Sequence, residues 1–178
     1  IIKADFDHEI YIPLINFSLK NKIANISADL EIKKNTTLLK KFSLIEGKNK
    51  INLNNLYLTN KKFKNLNNLS VKTFSNGKYN NDFIVSFDKK IKVKGSKYDA
   101  SNLTKVLEDN NNSNFFKDIN KEVTINFEEV VTNVADIISN FNLIGYIDGG
   151  KFNKITSKGE FKDGEYLDVS LKVDKVLK

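Results

Sequence analysis

The stretch KVKGSKYDASNLTKVLED, residues 92–109, interrupts a chain that otherwise alternates between apolar and polar residues. In its second half apolar residues recur at helical spacing from Leu103 onward, and Asp99 or Ser101 can cap the first turn. The pattern predicts a strand that runs into one short helix near residues 100–109. Strands are predicted on both sides of it.

Alternation with a period of two dominates the rest of the chain. In residues 23–32, IANISADLEI, the apolar residues occupy every second position and polar residues lie between them. This period is typical of a strand that buries one face and exposes the other. The same pattern recurs in residues 83–87, 91–93, 123–127 and 167–173.

Turn residues separate the alternating segments. The pairs Asn76–Gly77, Gly149–Gly150 and Asp163–Gly164 favour the positive φ angles of tight hairpins. Pro13 lies inside a further apolar segment, residues 9–19, and predicts a bent strand with a bulge or an edge position there. The predicted fold is mainly β: an elongated, curled antiparallel sheet, groove-like, with one short helix.

The chain of 178 residues is expected to form a single β-rich segment, residues 1–178, with a helix and Asn-rich loop inserted at residues 99–120. Hydrophobic residues make up 40% of the chain, enough to bury an apolar surface. The start, IIKADFDHEI, has neither a Met nor a basic region, so we expect the segment to be excised from a longer chain.

Few residues of this chain suit catalysis or metal binding. There is no Cys, and the single histidine, His8, is expected on the surface. Glu128 and Glu129 are adjacent on a predicted strand, so they point to opposite faces and cannot act on one bond. Nucleophile, phosphate-loop and zinc motifs are missing from the sequence. The sequence predicts no enzyme activity, no catalytic residues, no metal and no cofactor.

The net charge of +7 suits an anionic partner such as nucleic acid or phospholipid headgroups. All the basic residues are lysines spread along the chain, and most phenylalanines are in phase with Ile, Leu and Val. Nucleic-acid binding is therefore not predicted, because it needs basic residues interleaved with exposed aromatics. Alternation alone leaves two interpretations open. One is an apolar groove, and the other is a β-sandwich-like scaffold with a closed core that binds anionic surfaces through its lysines.

The run IKVKGSKYDASNLTKVL, residues 91–107, resembles the AsmA-like, TamB-related family of bacterial envelope proteins. In that family a strand runs into a Gly-Ser-x-aromatic-or-apolar-Asp-Ala segment and then a short helix. The corresponding positions here are Gly95, Ser96, Tyr98, Asp99 and Ala100. Residues 47–60 and 142–174 are similar in rhythm, so that the resemblance covers about residues 42–178.

The resemblance implies a location and a mechanism. The segment would be part of a periplasmic β-rich region in a Gram-negative bacterium, anchored to the inner membrane by a helix outside this segment. Its apolar concave face would shield phospholipid acyl chains in transit to the outer membrane, without enzymatic activity. The lipid class, the direction and energy source of transport, the oligomeric state and the extent of the parent chain stay open.

The predicted lining of the groove follows from the phase of each strand, with a common orientation of the strands assumed. It consists of Ile26, Leu30, Leu53, Val71, Phe83, Val85, Phe87, Ile125, Phe127, Phe141, Leu143, Val169 and Leu171.

Overall fold

The computed structural model describes residues 1–20, 22–108, 115–134 and 136–173, and in these ranges the chain is mainly β. Alternating residues with frequent Val, Ile, Phe and Thr form strands because such side chains pack well on a pleated, half-buried surface. The strands are β1 (Ile2–Phe6), β2 (Ile10–Ile12), β3 (Phe17–Leu19), β4 (Ala24–Lys33), β5 (Thr36–Glu46), β6 (Asn49–Thr59), β7 (Lys62–Asn65), β8 (Asn68–Ser75), β9 (Lys78–Phe87), β10 (Ile91–Asp99), β11 (Lys121–Val131), β12 (Ile137–Asp148), β13 (Lys151–Phe161) and β14 (Tyr166–Lys172).

Twelve strands form one sheet in the order β1-β4-β5-β6-β8-β9-β10-β11-β12-β13-β14, with β7 paired to β6 beside this path. Among the described strands, β1 and β14 end this order without pairing to each other, so they are the edges of an open sheet. β2 and β3 form a separate two-stranded sheet. The predicted mainly β class with one short helix is confirmed.

Strand β10 pairs with β11 in parallel, whereas the other pairings of the described strands are antiparallel, so the large sheet is mixed. Parallel neighbouring strands need a crossover connection, because a tight hairpin can join only strands that run in opposite directions. The crossover contains the helix α1 (Leu103–Glu108), which lies inside the range predicted for it. Residues 109–114 of the predicted insertion, and the side chains of Val106 and Leu107, are outside the described part of the chain.

The predicted turns are present. Asn76–Gly77 joins β8 to β9 with φ angles of 49° and 79°, and Gly149–Gly150 joins β12 to β13 with φ angles of 59° and 79°. Asp163–Gly164 lies in a longer turn, residues 162–165, between β13 and β14. These left-handed angles match the twist of the paired strands, which is why Asn and Gly occupy the turns.

Strand register divides the sheet into an apolar face and a polar face. A middle row of residues, directly paired from strand to strand, crosses the sheet from β1 to β14 on the apolar face. The middle row consists of Ile2, Ala28, Phe42, Leu53, Leu69, Val85, Val93, Ile125, Leu143, Ser157 and Val169.

The polar face carries the residues that alternate with these. Neighbouring strands are linked there by ion pairs, such as Lys72–Asp82 at 2.7 Å and Lys97–Glu129 at 2.9 Å. Such exposed pairs contribute little to stability, on the order of 0–1 kcal/mol each. The polar face is the solvent side of the sheet.

Residues 7–23, here called the strap, leave the sheet after β1 and return to it at β4; Asn21 is outside the described residues. The strap contains β2, a 3-10 turn at Pro13–Ile15 and β3. The predicted single bent strand across residues 9–19 is therefore wrong. Pro13 begins the 3-10 turn, and Asn16, with a left-handed φ of 45°, ends it and reverses the chain.

A second cover, formed by β7 and residues 66 and 115–119, packs on the apolar face at the opposite ends of the strands. The backbone N–H of Phe63 donates to the carbonyl oxygen of Phe115 at 3.1 Å, and the ring of Phe63 lies 5.7 Å from that of Phe116. Phe115 is half-buried against this cover, whereas Phe116 is 42% exposed.

A half-buried apolar strip as candidate functional site

All thirteen residues predicted to line a groove lie on the apolar face. Directly paired residues share a face, and the register connects the predicted lining residues across the sheet. Ile26, Val71 and Phe127, for example, lie on one row next to the middle row. The common orientation that the sequence could only assume is therefore present.

Three of the thirteen are closed off from solvent. Val71, Phe83 and Phe127 are 2%, 6% and 6% exposed, because the strap lies over them. Phe127 stacks on Tyr98 with ring centroids 5.3 Å apart and meets Phe83 edge to face at 5.7 Å. These three residues belong to a closed core and do not line an open surface.

The strap contributes the apolar side of that core. Ile15, Phe17 and Leu19 are 6%, 3% and 2% exposed and belong to the same cluster as Val71, Phe83 and Phe127. Burial of such side chains stabilises the strap on the sheet by roughly 1.5–3 kcal/mol each as an upper estimate.

At the other end of the strands the second cover closes the face. Phe63 and Leu66 are 4% and 6% exposed, and the ring of Phe63 lies 4.9 Å from that of Phe87. Phe87 itself is only half-buried. The apolar face is thus covered at both strand ends by different segments of the chain.

Between the two covers the middle row remains half-buried. Leu69, Val85 and Ile125 contact both core clusters, so the covers come closest together over β8 to β11. Leu143 and Val169 are half-buried yet belong to neither cluster. The half-buried apolar surface along the middle row is here called the strip. It widens toward β12–β14, where Leu171 is 60% exposed.

A polar network joins the strap to the sheet. Asn81 is fully buried in β9, and its side chain donates to the carbonyl oxygen of Ile15 at 2.7 Å and accepts from the N–H of Asp99 at 3.0 Å. The Tyr98 hydroxyl donates to the carbonyl oxygen of Leu14 at 2.8 Å. Burial raises the pKa of Tyr98 to about 12, so this hydroxyl stays protonated.

Asp99 is the hub of this network. Its carboxylate accepts hydrogen bonds from Asn16 at 2.9 Å and from Ser101 at 2.5 Å, and a longer one from Asn80 at 3.4 Å. Burial raises the pKa of Asp99, but the hydrogen bonds from Ser101 and Asn16 outweigh it, so the pKa lies below its ordinary value. The carboxylate therefore stays ionised at neutral pH.

Sequence reasoning missed the buried polar residues Asn81 and Thr73, both 0% exposed. A signal was present, because Asn81 is in phase with Phe83 and Val85, and Thr73 is in phase with Val71. A polar residue at an apolar position of a strand has to find a buried hydrogen-bond partner. Here the Asn81 side chain donates to the Thr73 hydroxyl at 2.8 Å.

The remaining features of the described residues are the single histidine, the potential metal ligands and an open depression. His8 is exposed, as expected, and pairs with Asp7. Within the described ranges no group of three or more potential metal ligands comes together, and no helix is long and apolar enough to cross a membrane. An open depression on the polar face, near Ile84 and Lys94, has none of the buried polar side chains of the described residues in its lining.

Comparison with protein-family models, with curated proteins and with solved structures gives no match for this chain. A functional hypothesis therefore depends on the geometry of the apolar face.

Proposed function

We propose that this chain is a non-enzymatic lipid-transfer segment whose apolar strip shields phospholipid acyl chains. The observation that carries the proposal is the middle row, which stays apolar and half-buried between the strap and the second cover across nearly the whole sheet. A closed core has no need of such a strip, because its covering elements bury the middle of the face as well as its ends.

The dimensions and energies of the strip suit a hydrocarbon chain. Eleven strands spaced about 4.8 Å apart give a row about 48 Å long. This exceeds the roughly 30 Å of a bilayer's hydrocarbon core, of which one lipid spans half. Removing a methylene from water contributes about 0.8 kcal/mol, so ten shielded methylenes contribute on the order of 8 kcal/mol without any specific contact.

A uniform apolar row also lets a lipid move. Its only interruption by a polar side chain is Ser157, which is 7% exposed and so leaves little polar surface. The lysines lie mainly on the polar face, where one near an anionic headgroup would add only about 1 kcal/mol. Affinity would come from the acyl chain, and the lipid would slide along the row.

The cellular setting of the proposal comes from the resemblance to AsmA-like proteins. The segment would work in the periplasm of a Gram-negative bacterium, with an inner-membrane anchor outside it, and would serve outer-membrane biogenesis. Phospholipids are its proposed partners, and nucleic acid is not among them.

The test compares two neighbouring residues of β12 that point to opposite faces. Leu143 lies in the middle row and Ile144 lies on the polar face, 66% exposed. A fluorescent fatty acid is titrated into the wild type, Leu143→Asp and Ile144→Asp, and native mass spectrometry detects bound phospholipid after incubation with vesicles of a zwitterionic and an anionic lipid. Circular dichroism melts confirm that each variant is folded.

Leu143→Asp should remain folded and lose at least about tenfold in fatty-acid affinity, because a carboxylate in the strip is poorly solvated beside a hydrocarbon chain. Ile144→Asp should bind like the wild type. A wild type that binds neither probe, or equal losses in both variants, contradicts the proposal. If Leu143→Asp instead unfolds, the same titration is made with Leu143→Asn. Unchanged fatty-acid binding by Leu143→Asn would also contradict the proposal and would favour a closed-core scaffold.

A further inference from the structure

The strap is an excursion from two strands that pair with each other. Phe6, the last residue of β1, lies opposite Ala24, the first residue of β4, and the pairing continues to Ile2 and Ala28. The large sheet is therefore complete without the strap. Lifting residues 7–23 breaks the strap's own contacts and leaves the ladder between β1 and β4 intact.

Beneath the strap lies an apolar row next to the middle row. Directly paired residues from β5 to β9, together with Phe127 of β11, are all at most 6% exposed because the strap covers them. They are Leu44, Ile51, Val71, Phe83 and Phe127. Since Phe17 and Leu19 of the strap fill this surface, it has the chemistry to hold a flexible hydrocarbon in their place.

Hydrogen bonds hold the strap at its turn: besides those that the sheet donates to the carbonyl oxygens of Ile15 and Leu14, the Asn16 side chain makes three. Asn16 donates to Asp99 at 2.9 Å and to the Ser101 hydroxyl at 3.0 Å, and it accepts from the Asn102 side chain at 2.6 Å. Its own backbone is left-handed, with φ of 45°. One side chain thus connects the turn of the strap with the segment between β10 and α1.

We infer that the strap is displaceable, and that the surface beneath it is an additional acyl-chain-binding surface for which the strap and a lipid compete. The inference rests on the proposed function, since it assigns the same ligand class to a wider part of the same face. With the strap closed, only the strip is open. With the strap lifted, the row from Leu44 to Phe127 joins the strip and widens it.

The experiment removes the side chain of Asn16 without disturbing its backbone. Asn16→Gly keeps a residue that adopts positive φ readily and deletes the hydrogen bonds to Asp99, Ser101 and Asn102. Asn76→Gly makes the same chemical change at another left-handed position, φ 49°, in the exposed turn between β8 and β9. A second variant, Phe17→Ala, removes an apolar anchor of the strap.

The first measurement is hydrogen exchange of backbone amides at neutral pH, with no lipid present. In Asn16→Gly the amides of β2 and β3 should exchange about tenfold faster than in the wild type, whereas those of β4, β9 and β11 should not change. Asn76→Gly should leave the strap unaffected. If the strap exchanges at the same rate as the sheet in every variant, it is part of one cooperative core and the inference fails.

The second measurement is titration with the fluorescent fatty acid. A competing strap predicts severalfold tighter binding by Asn16→Gly and Phe17→Ala, and unchanged binding by Asn76→Gly. A wild type that binds the fatty acid, with no gain in either strap variant, refutes the competition and leaves the proposed function standing. A third outcome is that the strap opens independently in the exchange experiment while neither the wild type nor any variant binds the fatty acid. That result refutes the proposed function and, with it, the binding surface beneath the strap.

Discussion

Asp99 joins three segments of the chain at one carboxylate, because Asn16 of the strap, Asn80 of β9 and Ser101 before α1 donate to it. Hydrogen bonds to a charged group contribute about 1.5–3 kcal/mol each when they are well formed and shielded. An amide in place of the carboxylate would offer one acceptor oxygen instead of two. We expect Asp99→Asn to lower the free energy of unfolding by about 1–3 kcal/mol at neutral pH, measured by urea denaturation.

The lowered pKa of Asp99 also predicts an acid-sensitive strap. A carboxyl whose pKa is lower in the folded than in the unfolded state stabilises the fold fully above its unfolded pKa, near 3.8, and loses this contribution as the pH falls through the folded pKa. Tyr98, adjacent to Asp99, stays neutral over that range. Amide exchange in β2 and β3 should therefore rise below about pH 4 in the wild type, relative to β9.

Asp99→Asn is the control for this acid effect, since Glu31 and Asp118 also have lowered pKa values and contribute to acid denaturation of the whole chain. The variant should have a looser strap at neutral pH and no further strap-specific loosening in acid. An equal acid response of the strap in both proteins would show that Asp99 is not its origin.

Gly95 occupies a place in the sheet where a side chain does not fit. It is paired with Phe83 on one side and Phe127 on the other, and an added Cβ would overlap the Asp82 carbonyl oxygen and the backbone of Phe83. Backbone atoms of a central strand cannot move aside without disturbing the ladder. Gly95→Ala should destabilise the fold by about 1–3 kcal/mol or more in thermal and urea unfolding.

Ser96→Ala is the matched control for Gly95→Ala, because Ser96 is the next residue, is exposed and lies in the bulge between Gly95 and Lys97. Its unfolding free energy should stay within about 0.5 kcal/mol of the wild type. Equal effects of the two substitutions would mean that helix-forming Ala is unfavourable in β10 generally, rather than that Gly95 lacks space.

At the scale of elements, the sequence predicted strands and turns well because both depend on local residues. The alternation of β4 and β11 and the pairs Asn76–Gly77 and Gly149–Gly150 specify their own conformation. The parallel pairing of β10 and β11 could not be predicted in this way. It depends on where the chain after α1 returns to the sheet, and the alternation of β11 fits either direction equally.

The strap was the least predictable element. Its residues 9–19 are apolar enough for a strand of the main sheet, and Pro13 indicated a local irregularity but not a departure from the sheet. What holds it in place is long-range, because Asn16 meets Asp99 and Ile15 meets Asn81. A pattern within the strap does not encode residues more than sixty positions away.

At the scale of the whole molecule, the phase of each predicted lining residue within its strand could be read from the sequence, whereas the common orientation of the strands and the exposure of each residue could not. Phase groups Val85 with Phe83 and Phe127 with Ile125, and the register through β10 places both groups on one face of the sheet. Exposure depends on which segment packs above, so Phe127 is buried under the strap while Leu171 is 60% exposed at the edge. An open groove and a closed core therefore have the same alternating sequence pattern and differ in the segments that pack on the apolar face.

The open edges of the sheet lead to a prediction about the whole molecule. β14 is an edge strand with no register shift along its pairing with β13, and it alternates Leu167, Val169 and Leu171 with polar residues. Regular, partly apolar edges promote pairing with another strand, and a lysine on the apolar side of an edge suppresses it. We expect concentration-dependent association of the wild type in sedimentation velocity, and a several-fold weaker association of Leu171→Lys.

Ile144→Lys is the control that distinguishes strand pairing at the β14 edge from nonspecific association through exposed apolar side chains. Ile144 is as exposed as Leu171, 66% against 60%, but lies on the polar face in the interior of the sheet. If association runs through the β14 edge, this variant should sediment like the wild type, because the edge is unchanged. If both lysines weaken association equally, the contact is apolar but not specific to the edge. Association through the edge would lengthen the middle row from one molecule into the next, since a strand added in register continues the same alternation.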